Sequence, residues 1–134
     1  FFEIELVLLQ QNRHYPVSIV MADVDGLKKV NDQQGHEAGD NLLRRTAGLL
    51  EQVFRSGDVV ARIGGDEFAV ILPGTAETPA FDVVNRLYEA LEEENPPIRL
   101  SVGVATEWDG CTMMELMNLA DKRMYEDKLR RKIT

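Results

Sequence analysis

An almost unbroken apolar run from Val17 to Ala22 ends abruptly at two acidic residues, Asp23 and Asp25. A strand with one wet face alternates apolar and polar residues, whereas a continuous apolar run is typical of a strand covered on both faces. We therefore expect this segment to be a buried strand of the sheet. Its end brings carboxylates to the point where the chain leaves the core.

The next part of the chain predicts a loop, a helix and a hairpin. The stretch from Gly26 to Gly39 is rich in Gly, Asn and Asp, which is typical of a loop. A helical stripe of apolar residues follows from Leu42 to Phe54. Two β-rich segments, 59–63 and 68–72, flank the paired glycines Gly64-Gly65, which is a strong signal for a hairpin.

The second half of the chain predicts two more helices with a strand between them. Thr78, just before a proline, has the form of an N-cap, and Thr112 with Glu115 has the form of a capping box. Residues 98–104 alternate as a strand does. With a helical pattern before Pro16, the order is α-β-α-β-β-α-β-α. This order indicates an α+β fold with a central, largely antiparallel sheet flanked by helices.

Length and charge restrict what the chain can do. Its 134 residues predict one domain, 1–134, and the start at Phe1 without an initiator methionine indicates a piece of a longer protein. A net charge of -8 opposes binding to a polyphosphate backbone, so nucleic acid is not an expected partner. A small phosphorylated ligand is compatible with this charge, because metal ions and a few lysines reverse the potential locally.

Cysteine and hydropathy patterns bear on location. Cys111 is the only cysteine, which rules out an internal disulfide and a zinc site built from several cysteines. The sequence has no apolar run of about 18 residues and no signal peptide. We expect a cytoplasmic location for this piece, whether or not the parent protein is anchored in a membrane.

Acidic residues at two places are candidate metal ligands. Asp23 stands at the end of the buried strand, and Asp66 and Glu67 follow Gly64-Gly65 on the hairpin tip, where glycines let a ligand approach the backbone. If the hairpin pairs with the first strand, Asp23 and Asp66 converge as hard oxygen ligands, which magnesium prefers together with phosphate oxygens. Taken alone, each motif is also explained by turn residues and solvated acids.

Several motifs in order resemble one family. The string Arg-Ile-Gly-Gly-Asp-Glu-Phe at 62–68 resembles the signature hairpin of the GGDEF diguanylate cyclases, and the segments DVDGLKKVNDQQGHEAGDNLL, SVGVAT and LMNLADKRMYEDK are also similar to that family. The resemblance implies a nucleotide-cyclase architecture that is ferredoxin-like, or palm-like. It also implies bacterial second-messenger signalling, in which a homodimer condenses two GTP molecules into cyclic dimeric GMP (c-di-GMP) and pyrophosphate. An upstream sensor domain is then expected in a longer multidomain protein.

The same resemblance implies a role for each matching position. Each ribose 3′-hydroxyl would attack the α-phosphate of the other GTP with the help of magnesium, which manganese can replace. The implied metal ligands are Asp23, the Val24 carbonyl and Asp66, and the implied proton acceptor is Asp66 or Glu67. The implied substrate-binding residues are Gly26, Leu27, Lys28, Asn31, His36, Asp40, Lys128 and Lys132.

Three of these positions need separate comment: Asp40 has a physical reason to read guanine, and Leu27 and Lys132 differ from the usual residues of the family. The Asp40 carboxylate can accept hydrogen bonds from the ring N–H and amine of guanine, which adenine lacks, although a helix N-cap also explains this residue. Leu27 replaces a more common phenylalanine, which should matter little if the contact is through the backbone. Lys132 stands where arginine is usual, so phosphate binding there is expected to be weaker or differently shaped.

A second implied site lies just before the signature. Arg55 and Asp58 have the spacing of the family's inhibitory site for its product, c-di-GMP, and Arg86 falls where that site has a second arginine. Surface salt bridges are the alternative for all three residues. The alternative function is a catalytically weak or inactive GGDEF module that senses GTP or c-di-GMP. Such modules usually carry a damaged signature, whereas the signature here is intact.

Overall fold

The structure is a computed structural model that describes residues 16–133, with side chains as far as Arg131. Within that range the strands are β1 (Ser18–Val24), β2 (Val59–Arg62), β3 (Glu67–Leu72) and β4 (Leu100–Thr106). The helices are α1 (Leu27–Gln34), α2 (His36–Val53), α3 (Glu77–Glu93) and α4 (Met113–Ile133). The helix predicted before Pro16 lies outside the described residues.

The strands form one antiparallel sheet in the order β2-β3-β1-β4. The apolar run predicted as a buried strand is β1, which pairs with β3 on one side and β4 on the other. All of its residues are buried. The hairpin predicted from Gly64-Gly65 is formed by β2 and β3. The predicted α+β fold with an antiparallel sheet is therefore confirmed.

Helices cover both faces of this sheet, as an unbroken apolar strand requires. One face, which includes Val20 and Val70, packs against α2 and α3. The opposite face, which includes Met21 and Ile71, packs against α4. Gly103 in β4 permits a very close approach of α4. No helix in the range 16–133 is long and apolar enough to cross a bilayer.

Two local predictions were wrong. The stretch from Gly26 to Gly39 is not a loop, because α1 occupies most of it and α2 begins inside it. Gly26 and Gly35 take positive φ angles of 76° and 91°, which let the chain turn sharply on either side of α1. The third helix begins at Glu77, before Thr78, with an extended Ala76 as its N-cap.

The capping box at the start of the last helix is confirmed. The Thr112 N–H donates to the Glu115 carboxylate at 2.8 Å, and the Glu115 N–H donates to the Thr112 hydroxyl at 3.1 Å. These two bonds satisfy N–H groups that a helix start leaves without partners. They define where α4 begins its path across the sheet.

Candidate functional site

The end of β1 and the tip of the hairpin lie side by side. Asp23 pairs with Glu67 in the sheet register, and the Val24 N–H donates to the Asp66 carbonyl at 2.9 Å. The Ile63 N–H donates to the Glu67 carbonyl at 3.0 Å and closes the hairpin. Strand pairing thus brings the acidic residues of both segments together where β1 ends and β3 begins.

Asp23 occupies a buried and incompletely satisfied position. It is 6% exposed, and its Oδ2 accepts a hydrogen bond from the Lys128 ammonium at 2.5 Å. Its Oδ1 is buried and has no hydrogen-bond partner among residues 16–131. Burial, together with the nearby Asp66 carboxyl, raises the pKa of Asp23 to about 6, although Lys128 opposes the rise. A cation beside this carboxylate would relieve the strain of keeping it ionised.

The residues present fit a divalent cation that shares its coordination with a ligand. The described side chains include no group of three or more His, Cys, Asp and Glu residues arranged around a metal. A cation near Asp23 and Asp66 would therefore complete its shell with a backbone carbonyl such as that of Val24, with water and with phosphate oxygens. Magnesium commonly binds in this way, through one or two carboxylates plus substrate phosphates.

Two neighbouring groups are tuned by the same acidic surroundings. Burial raises the pKa of Glu67, and the carboxylates of Asp121 and Asp66 raise it further while Lys128 opposes them. A raised pKa makes Glu67 a better proton acceptor than an ordinary carboxylate. The hydrogen bond to Asp23 raises the pKa of Lys128 despite its partial burial, so this lysine stays charged.

The start of α1 lies directly after these carboxylates. Gly26 takes the left-handed conformation at its N-cap, and α1 has neither a capping side chain nor an acidic residue in its first turn. Leu27 is half-buried and packs against the core, whereas Lys28 is exposed. Free N–H groups at a helix start, with a lysine beside them, are suited to bind phosphate.

The residues predicted to read guanine come from two adjacent helices. The Asn31 side chain lies against α2, because a Cβ added to Gly39 would fall 1.8 Å from its Oδ1. Asp40 follows Gly39, is exposed, and lines a cleft of about 430 Å³ that reaches Phe68. Since α2 begins at His36, which is exposed, Asp40 lies inside the helix and is not its N-cap.

Arg55 and Asp58 form a salt bridge, with 3.1 Å between Arg55 Nη2 and Asp58 Oδ1, as expected if these residues only pair with each other. The Arg55 guanidinium also donates to the Pro73 carbonyl at 3.1 Å and to the Thr75 hydroxyl at 2.8 Å. Arg86 lies on an exposed part of α3, and the structure describes no bond from it to Arg55 or Asp58. The described contacts therefore do not join these three residues into one site.

Some contributions escaped sequence reasoning. Arg62, which stands inside the signature string, donates to the carbonyls of Gly64 and Gly65 at 3.1 and 2.7 Å and braces the hairpin. The Asp121 carboxylate of α4 raises the pKa of Glu67 through its charge, and no local pattern could have indicated that influence. The side chain of Lys132 lies outside the described residues, so its predicted role stays a prediction.

The architecture and the acidic edge define a class, the palm-like nucleotide cyclases. The GGDEF domain of PA1120 (YfiN or TpbB) from Pseudomonas aeruginosa superposes with a TM-score of 0.84 at 31% identity, over 97% of this chain and 88% of that one. A family model described as "Diguanylate cyclase, GGDEF domain" matches residues 1–133. The chain belongs to the GGDEF family of diguanylate cyclase domains.

Two further comparisons agree with this assignment. Diguanylate cyclase A of Treponema denticola is 34% identical over 120 residues, which cover 84% of this chain and 32% of that protein. The GGDEF domain of DgcB from Caulobacter crescentus, solved in complex with c-di-GMP, matches 95% of this chain and 82% of that one, with a TM-score of 0.83 and 25% identity. The chain therefore spans about a third of the length of the curated relative.

Proposed function

We propose that this domain is an active diguanylate cyclase that condenses two GTP molecules into c-di-GMP and two pyrophosphates. The observation that carries the proposal is that Asp23 and Asp66 lie side by side, at the end of β1 and the tip of the β2–β3 hairpin. Asp23 keeps a buried oxygen without a partner among the described residues, and its pKa is raised to about 6. Such a carboxylate is expected where a bound cation completes the site.

The proposed binding mode uses backbone and side chains together. Asp23, the Val24 carbonyl and Asp66 hold magnesium or manganese. The backbone N–H groups of Gly26 and Leu27, at the start of α1, bind the β- and γ-phosphates. The substrate is further held by three lysines and by the guanine-reading residues, namely Lys28, Lys128, Lys132, Asn31, His36 and Asp40. When bound, the metal supplies positive charge that activates the attacking hydroxyl and stabilises the phosphoryl oxygens.

The proposed reaction needs two copies of the domain, each with one GTP. Glu67 or Asp66 accepts the proton of the ribose 3′-hydroxyl. The hydroxyl oxygen forms a bond to the α-phosphorus of the GTP in the second subunit, and the bond from that phosphorus to the bridging oxygen breaks. Pyrophosphate leaves with the electron pair. The same step in the opposite direction closes the ring.

The remaining proposals concern the context of the domain. Arg55, Asp58 and Arg86 would bind c-di-GMP and inhibit the enzyme, which requires Arg55 to exchange its salt bridge with Asp58 for contacts to the product. We propose that residues 1–134 are one catalytic domain of a longer cytoplasmic or membrane-anchored protein with a sensor domain. Nucleic acid is not a proposed partner.

One contact favours a second candidate function, a module that senses GTP or c-di-GMP. Lys128 is bound to the Oδ2 atom of Asp23 at 2.5 Å, so one oxygen of this metal ligand is already engaged. An active cyclase would have to release this ammonium to the phosphates when Mg-GTP binds. A sensing module could retain it. The two functions differ in turnover, since the sensing module binds GTP or c-di-GMP without converting it.

The test is turnover of Mg-GTP by the domain fused to a dimerising coiled coil, with products identified by mass spectrometry. The fusion supplies the dimer that the reaction requires. Asp66→Ala removes the proposed metal ligand, and Asp109→Ala is the matched control, because it removes an exposed carboxylate from a loop outside the site. Binding of GTP and of c-di-GMP is measured on the same samples.

Production of c-di-GMP by the fusion and by Asp109→Ala, but not by Asp66→Ala, supports the cyclase. Intact GTP that binds without turnover supports the sensing module instead. Absence of turnover, together with absence of binding to either nucleotide, contradicts both functions.

A further inference from the structure

The last part of α4, which carries Lys128, has little apolar attachment to the sheet. The buried apolar residues of this helix are Leu116, Met117, Ala120 and Met124. Beyond Met124, none of the apolar side chains described as far as Arg131 is buried, since Tyr125 is 59% and Leu129 43% exposed. Polar contacts must therefore hold this part of α4 in place.

Asp127 supplies several of the polar contacts there. Its Oδ2 accepts hydrogen bonds from the Val102 backbone N–H at 2.9 Å, from the Tyr88 hydroxyl at 3.3 Å and from Arg131 Nε at 3.0 Å. One turn earlier, Arg123 donates to the Val104 carbonyl at 2.8 Å. Both backbone groups belong to β4, which is an edge strand of the sheet. The helix is thus bound to the edge of β4 and, through Tyr88, to α3.

Close packing of α4 on β4 makes this attachment directional. A Cβ added to Gly103 would fall 2.1 Å from the Ala120 carbonyl oxygen and 2.2 Å from the Met124 nitrogen, so the two backbones are in direct contact. Successive side chains of a helix point about 100° apart. With Asp127 bound to the edge of β4, the next residue, Lys128, extends to Asp23 of β1.

A simpler role for Asp127 would be to neutralise the two arginines that follow it. It pairs with Arg130 at 3.3 Å and with Arg131 at 3.0 Å, at the spacings of ordinary helix-surface pairs. Pairs of this kind are weak and would leave the position of Lys128 unchanged. The bond to Val102 differs, because it is charge-assisted and joins residues 25 positions apart.

We infer that Asp127 is a positioning residue, which holds the last part of α4 on the edge of β4 and thereby keeps Lys128 against Asp23. What Lys128 then does for GTP rests on the proposed function. Where Lys128 lies rests on the described contacts alone. Asp127 itself touches no proposed substrate or metal group, so its effect on GTP passes through Lys128.

The first experiment separates positioning from a general structural effect in the dimerised domain. Asp127→Ala is expected to raise KM for GTP about tenfold with little change in kcat, because Lys128 is then no longer held beside the metal site, from where it passes to the phosphates of bound GTP. In a Lys128→Met background the same substitution should change KM less than about twofold. Asp127→Asn keeps one acceptor for Val102 and should restore most of the loss. Glu126→Ala, the exposed neighbouring acid, is the matched control.

Equal KM effects of Asp127→Ala with and without Lys128 would overturn the inference, because they would mean that Asp127 does not act through that lysine. So would a loss confined to kcat.

The second experiment needs no catalytic activity, so it decides the inference even if the proposed function fails. The coupling between Asp23 and Lys128 is measured by urea unfolding of Asp23→Asn, Lys128→Met and the double variant, without nucleotide or metal. In an Asp127→Ala background this coupling is expected to fall by about half or more. If Asp127→Ala does not fold, Asp127→Asn is used and should reduce the coupling by a smaller amount. Undiminished coupling would refute the positioning role.

Discussion

Replacing Asp23 by Asn is expected to stabilise the metal-free domain while destroying its proposed metal site. Asp23 is 6% exposed, and burial, with help from Asp66, raises its pKa from 3.8 to about 6 although Lys128 opposes the rise. At neutral pH the folded protein therefore holds a carboxylate in a place that disfavours its charge. Asparagine has nearly the same shape and no charge.

The magnitude follows from the pKa difference. At 1.36 kcal/mol per pKa unit, a rise from 3.8 to about 6 corresponds to about 3 kcal/mol. The folded state binds the Asp23 proton more tightly than the unfolded state does, so this contribution to stability is complete below pH 3.8 and is lost as the pH rises through about 6. Asp23→Asn should gain little at pH 4 and up to about 3 kcal/mol above pH 7.

The assay is urea unfolding of the domain and its variant between pH 4 and pH 8, without divalent ions. Asp25→Asn is the matched control, because the Asp25 carboxylate accepts a hydrogen bond from the Ser101 hydroxyl at 2.7 Å and an amide oxygen can accept the same bond. The control should change the free energy of unfolding by less than about 0.5 kcal/mol. Saturating Mg-GTP should make the parent domain more stable than the Asp23→Asn variant, because only the parent keeps the Asp23 carboxylate for the metal and binds Mg-GTP well.

An Asp23→Asn variant that is less stable than the parent above pH 7 would refute this reasoning. A gain in stability that does not change between pH 4 and pH 8 would refute it as well, because the gain would then have nothing to do with the charge of Asp23.

Three further predictions concern other parts of the domain. Gly103→Ala would place a Cβ 2.1 Å from the Ala120 carbonyl, and should lower the free energy of unfolding in urea by about 2–3 kcal/mol; an unchanged value would contradict the close contact of α4 with β4. Asp40→Asn should reduce the preference for GTP over ATP about 100-fold in kcat/KM, because the amide replaces an acceptor for guanine with a donor. An unchanged GTP to ATP ratio would remove Asp40 from the guanine site. Arg55→Ala should lower the free energy of unfolding by about 1–3 kcal/mol, because it leaves the Asp58 carboxylate, whose side chain is 2% exposed, without its guanidinium partner. The same variant should need about tenfold more c-di-GMP for half-inhibition, and undiminished inhibition would locate the product site elsewhere.

The sequence by itself determined the features that depend on neighbouring residues. The apolar run of β1 requires cover on both faces wherever it lies, and the paired glycines at 64–65 turn the chain back because of their own conformational freedom. The capping box at Thr112 likewise needs only Glu115, three residues away. Each of these features formed where the pattern predicted it.

Tertiary structure decided what local patterns could not. The α1 segment has only two apolar residues, Leu27 and Val30, and neither is fully buried. This short pattern does not distinguish a helix from a loop, so contacts such as that of Asn31 with Gly39 of α2 are needed to fix the helix. The bond of Lys128 to Asp23 joins positions 105 apart, and no short-range pattern encodes such a contact. Whether a buried carboxylate finds a partner depends on how the whole chain packs around it. For that reason the candidate metal-binding carboxylates could be predicted from the sequence. The raised pKa of Asp23 and the anchoring of α4 on β4 were decided only by the fold.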